Sequence, residues 1–96
     1  MKRLSARLQA IAEMVEPGSY LADVGSDHAL LPIHLIESGK ISWAMAIENK
    51  IGPYLHMTQV IDEAGLHGRI SASKSDGISV LRDGVNTLAI CGMGGL

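Results

Sequence analysis

The chain has 96 residues, 47% of them hydrophobic, with no Phe, one Trp and two Tyr, which is enough for one small domain built on small and medium side chains. Its formal net charge is −2, so no overall basic field draws it to nucleic acid. A single cysteine excludes an internal disulfide framework and fits a reducing compartment, and no apolar stretch is long enough to span a membrane.

Met1-Lys2-Arg3 is basic, but no continuous apolar run follows. That argues against a signal peptide and for the cytoplasm. Leu4, Leu8, Ile11 and Val15 then recur at helical spacing, and Pro17-Gly18 stops that helix. Tyr20 to Val24 reads as the first strand. Leu31 to Ser38 reads as a helix, with Pro32 tolerated in its first turn and Gly39 as its C-terminal cap. Trp43 to Ile47 is the second strand, Pro53 to Ala64 the next helix, and Gly65 its cap. Ile70 to Ser73 alternates apolar and polar residues, as a short third strand does. Ile78 to Leu81 reads as a helical turn. Thr87 to Cys91 is a fourth strand, and its continuous apolar character predicts burial on both faces. Strands alternating with helices predict an α/β fold with a parallel sheet and helices on its faces, preceded by an N-terminal helix. The chain stops at Gly92-Met93-Gly94-Gly95-Leu96, directly after an apolar run. Glycine-rich loops connect elements more often than they end proteins, so the expectation is a truncated chain.

The stretch LADVGSDH, Leu21 to His28, carries the most chemistry. An apolar strand ends in Asp23-x-Gly25 and runs through Asp27 into a helix N-terminus. Rossmann-like domains hold nucleotide-type cofactors this way. The glycine lets the backbone come close, and the free N–H groups of the helix end face the ligand. The bland alternative for Asp23 is a solvated strand-end carboxylate, which an acid inside an apolar strand makes less attractive. Asp27 is equally well read as a helix cap. Glu48 ends the second strand, about where Rossmann folds place the carboxylate that accepts from ribose hydroxyls, some ~20 residues after the glycine loop. Alone it is also an ordinary loop acid; with Asp23 and Gly25 the order and spacing agree. Ser75-Asp76-Gly77 follows the third strand. An Asp there can accept from an adenine amine, but Asp-Gly is also a common turn pair, and by itself the turn is favoured.

Other residues point elsewhere only weakly. His28, His34, His56 and His67 have no metal-ligand spacing with one another or with Cys91, so they read as separate helix or loop histidines and no metal is expected. Cys91 lies in an apolar strand and reads as a core residue. Lys2, Arg3 and Arg7 form one small basic face, which is more often solvated than phosphate-binding.

Taken in order, LSARL near the start, LADVGSDHALLP, Glu48 with Gly52-Pro53, SDG and the final ICGMGG make the chain resemble the N-terminal part of the bacterial tRNA (adenine-22-N1)-methyltransferases, the TrmK family. GSDHALLP and the terminal GMGG are the specific pieces. The resemblance implies a Rossmann-like class I methyltransferase fold that is incomplete here. Residues 1–96 would be a partial S-adenosylmethionine (SAM) domain, with the later strands and a helical C-terminal domain absent. It implies SAM as cofactor and tRNA as partner of the full-length protein, with no membrane and no metal. Asp23, Gly25, Ser26 and Asp27 would form the first cofactor loop, facing the methionine portion and ribose. An acidic loop repels a pyrophosphate but favours an ammonium and a sulfonium. Glu48 would bind the ribose hydroxyls, with Asn49 against the adenine. Asp76 with Gly77 would take the adenine amine. Gly92, Met93, Gly94 and Gly95 would form the loop beside the transferable methyl. Asp27 stands where the wider class has the second glycine of Gly-x-Gly.

The implied chemistry needs little from the protein beyond alignment. Adenine N1 is unprotonated near neutral pH, its lone pair lies in the ring plane, and no general base is required. A paired or stacked adenine hides N1, so the base must be turned out. Two other classes compete. A nicotinamide-dependent oxidoreductase predicts G-x-G-x-x-G after the first strand, where this chain has only Gly25. A non-catalytic nucleotide-cofactor-binding fragment needs nothing more than the loop and the acids.

Overall fold

Ser5 starts the first helix. Its own backbone is extended (ψ 162°), and its hydroxyl accepts from the N–H of Leu8, one of the donors that a helix start leaves over. The computed structural model describes residues 4–26, 28–75 and 84–89. Its elements are α1 (Ala6–Met14), β1 (Tyr20–Val24), α2 (Leu30–Glu37), β2 (Trp43–Glu48), α3 (Ile51–Glu63), β3 (Ile70–Lys74) and β4 (Thr87–Ala89). All strand pairs are parallel, and the sheet order is β3-β2-β1-β4.

The register sorts the side chains onto two faces. Leu21, Asp23, Ala44, Ala46, Glu48, Ile70 and Ala89 share one face. On that face the main core packs Leu21, Ala44, Ala46 and Ile70 against Ala12 of α1, Leu31 and Leu35 of α2, and Met57 and Ile61 of α3. A smaller cluster of Ala22, Met45 and Ile47 lies on the other face, with Trp43 and Val85 against it.

Both central helices end as their glycines predict. After α2, Gly39 N–H donates to Ile36 O and Lys40 N–H to Leu35 O, with Gly39 at φ 81°. After α3, Gly65 N–H donates to Asp62 O and Leu66 N–H to Ile61 O, with Gly65 at φ 73°. Each is a Schellman stop, and the second seats Leu66 in the core. A Cβ at Gly65 would meet nothing within 4 Å, so Gly65→Ala pays only for the left-handed backbone. It should lower unfolding free energy by about 1–2 kcal/mol in urea titrations, and Gly65→Asn by less. The Lys40 ammonium in turn donates to Ala12 O at 2.9 Å, a cation on the last carbonyls of α1.

Four expectations shift. α1 starts at Ala6, with Leu4 packing on the core from outside the helix. α2 runs one residue earlier than expected. α3 starts at Ile51 rather than Pro53: Pro53 falls at the third helical position, where its missing N–H is one of the donors with no intrahelical partner anyway. β4 is not buried on both faces over its described residues, because Leu88 is 46% exposed. β4 pairs with β1 on one side, and Leu88 projects to the face that α1, α2 and α3 leave uncovered. The expected turn at Ile78 to Leu81, and Cys91, lie outside the described residues.

Candidate functional site

β2 and β3 extend the sheet to one side of β1, and β4 returns to the other side. The crevice between the ends of β1 and β4 is therefore the point where the strand order reverses, which is where open α/β sheets bind ligands. Asp23 lies one residue from the end of β1, in register with Ala46 of β2 and Ala89 of β4. Two small side chains flank it in the sheet. It is 1% exposed, which removes the solvated strand-end alternative.

The loop after β1 turns at Gly25, whose φ of 70° suits a residue without a Cβ. Gly25 N–H and Ser26 N–H both donate to Ile47 O, at 2.9 and 3.1 Å. The loop is thereby pinned to the residue just before Glu48. Ser26 is 2% exposed, and its hydroxyl is buried without a hydrogen bond. Asp23 is equally buried and has an interaction partner of its own. A buried hydroxyl with unused capacity is uncommon and fits a polar ligand group.

Glu48 ends β2 on the same sheet face as Asp23. It is half-buried, and its Oε1 accepts from Asn49 N–H at 3.0 Å, which leaves lone pairs for an outside donor. Asn49 is exposed beside it. Ser75 N–H donates to Glu48 O at 3.0 Å, so the chain leaves β3 next to Glu48. The structure thus brings Asp23, Gly25, Ser26, Glu48 and Asn49 to one edge. Asp27, Asp76, Gly77, Gly92, Met93, Gly94 and Gly95 lie outside the described residues. The residue at the N-cap of α2 is Ala29, in left-handed backbone at φ 55°.

One arrangement was invisible in the sequence. His28 and His56, expected to be separate, bring their ring centroids to 4.4 Å at an interplanar angle of 75°. Nothing in local pattern links a loop residue to one on α3; only the crossover topology does. Among the described residues no group of three or more His, Cys, Asp or Glu could hold a metal ion, and no helix is long and apolar enough to cross a membrane.

Comparison with known proteins gives a consistent set of similarities. A family profile described as a methyltransferase domain matches residues 4–96. The tRNA (adenine(22)-N(1))-methyltransferase of Bacillus subtilis is 40% identical over 94 residues, covering 97% of this chain and 40% of the relative. A Streptococcus agalactiae structure, described as a protein in the NADB-Rossmann superfamily, superposes with a TM-score of 0.92 at 42% identity, covering 97% of this chain and 42% of that one. A Streptococcus pneumoniae structure in complex with S-adenosyl-L-methionine gives 0.90 at 39% identity, covering 96% of this chain and 44% of that one. The chain therefore spans less than half the length of each of these three proteins.

Proposed function

We propose, from the premise that this chain belongs to the methyltransferase domain family, that it is the cofactor-binding part of an enzyme that methylates N1 of an adenine in tRNA. The main support is the placement of Asp23, Ser26 and Glu48 at neighbouring strand ends beside the order reversal, with a buried, unbonded Ser26 hydroxyl among them. The similarity to the Bacillus subtilis enzyme supports the tRNA substrate, and the SAM-bound Streptococcus pneumoniae structure supports the cofactor. The remaining strands and a helical C-terminal domain belong to the rest of the enzyme, which works in the cytoplasm where tRNA is.

Bound SAM supplies an electrophilic methyl group carried on a sulfonium. The chain's own residues then bind, orient and exclude water. Asp23, Gly25, Ser26 and Asp27 hold the methionine portion, and their acidic character favours its ammonium and the sulfonium. Glu48 accepts from the ribose hydroxyls, and its bond to Asn49 N–H fixes the carboxylate before the ligand arrives. Asn49, Asp76 and Gly77 face the adenine. Gly92, Met93, Gly94 and Gly95 leave space for the incoming base. Catalysis is alignment in a dry site, with no group of the protein bonding to the substrate.

A second assignment concerns the 96 residues by themselves. They span 40% of the Bacillus subtilis relative and carry a net charge of −2, while a folded RNA demands many phosphate contacts. They should bind cofactor without turnover. Calorimetry on the full-length protein should show S-adenosylhomocysteine binding, with NAD weaker; tighter binding of NAD would reject the methyltransferase assignment. Residues 1–96, given labelled SAM and tRNA at moderate salt, should transfer no methyl, and robust turnover would show that they are sufficient.

A further inference from the structure

We propose that His56 is a positioning residue for the loop that follows β1. His28 and Ala29 are consecutive non-glycine residues in the left-handed region, both at φ 55°. L-residues rarely adopt that conformation, and two in succession persist only where the surroundings over-determine them. Ala29 is fixed from one side: it is buried in the main core, and its carbonyl accepts from Ile33 N–H at 3.0 Å. His28 is fixed from another, by the edge-to-face contact of its ring with His56 on α3. The front of the same loop is tied to β2, through Gly25 and Ser26 to Ile47 O. The loop is therefore held at both ends by different elements, β2 before Asp27 and α3 after it. The ring contact of His56 is with His28, so His56 acts through that residue and its effect is on the loop's shape.

The inference rests on the cofactor assignment of that loop. The test uses the full-length protein as wild type, His56→Ala and His56→Phe, with three measurements: affinity for S-adenosylhomocysteine, amide exchange at His28 to Leu30 without ligand, and melting temperature. In His56→Ala the exchange at His28 to Leu30 should quicken about 3- to 10-fold, the span of one aromatic edge contact, and the dissociation constant should rise by a similar factor. His56→Phe keeps a ring and should return both to within about twofold. Melting temperatures should agree across the set, since His56 is exposed. Unchanged exchange or unchanged affinity in His56→Ala, with wild type binding normally, overturns the inference and leaves the cofactor site standing. A Phe variant as poor as Ala overturns it too, because the ring contact would not be what holds the loop. Wild-type protein that does not bind S-adenosylhomocysteine removes the cofactor assignment itself, and this inference with it.

Discussion

Gly94→Val in the full-length enzyme should abolish methyl transfer to tRNA while leaving S-adenosylhomocysteine affinity within a few-fold of wild type. If the protein's contribution is alignment of adenine N1 with the methyl, the loop from Gly92 to Gly95 acts by shape. A branched side chain occupies space meant for the base and narrows the backbone's choices. Misplacement by about 1 Å can cost on the order of 100-fold in such a reaction, and exclusion of the base costs all of it. The proposed cofactor ligands at the ends of β1 and β2 are untouched by the change, so binding should survive. Cys91→Ser is the companion. It should keep most activity, because no thiol attack on a base is needed. Loss of activity in Cys91→Ser with folding intact would point to covalent chemistry. Normal turnover in Gly94→Val would mean that the base enters elsewhere.

Glu48→Ala should weaken S-adenosylhomocysteine binding by about 1.5–3 kcal/mol, the usual worth of a charge-assisted hydrogen bond. That is roughly a 10- to 150-fold rise in dissociation constant. Melting temperature should move little, because Glu48 is half-buried at a strand end, and the one side-chain hydrogen bond described for it is the local one with Asn49 N–H. Glu48→Gln should fall between wild type and alanine: it keeps an acceptor oxygen but loses the charge. Calorimetry that finds unchanged affinity in Glu48→Ala would remove the ribose role and with it the main acid of the proposed site.

Much of this fold was legible because its signals are local. The strand from Tyr20 to Val24 appears where the apolar run predicts it, and Gly39 and Gly65 stop their helices by adopting left-handed backbone. Asp23 was legible as unusual because a carboxylate in an apolar run contradicts its surroundings, and its burial bears this out. What local pattern could not give depends on neighbours brought from far along the chain. The apolar run at β4 predicts burial on two faces, yet Leu88 is exposed because the helices cover the other face. The start of α3 was misplaced because Pro53 looks like a first residue and is equally tolerated as a third. The sealed position of Ser26 and the meeting of His28 with His56 come from crossovers that no window of sequence contains.

The return of β4 to β1 also orders events in time. During synthesis, at roughly 5–20 residues per second, β1, β2 and β3 can join the sheet as they emerge, each beside the one before. β4 breaks that sequence. It pairs with the free edge of β1, and Asn86 Oδ1 accepts from Tyr20 N–H across 66 positions of chain. Until β4 leaves the ribosome, β1 is a bare edge with unsatisfied backbone groups, open to wrong partners. The crevice proposed for the cofactor is completed by the same pairing that removes this hazard. A small molecule that fits only the closed crevice favours the correctly paired sheet over every half-made one, by RT ln(1 + [L]/Kd), so on the proposed assignment cofactor supply would be a folding aid to the newly made chain.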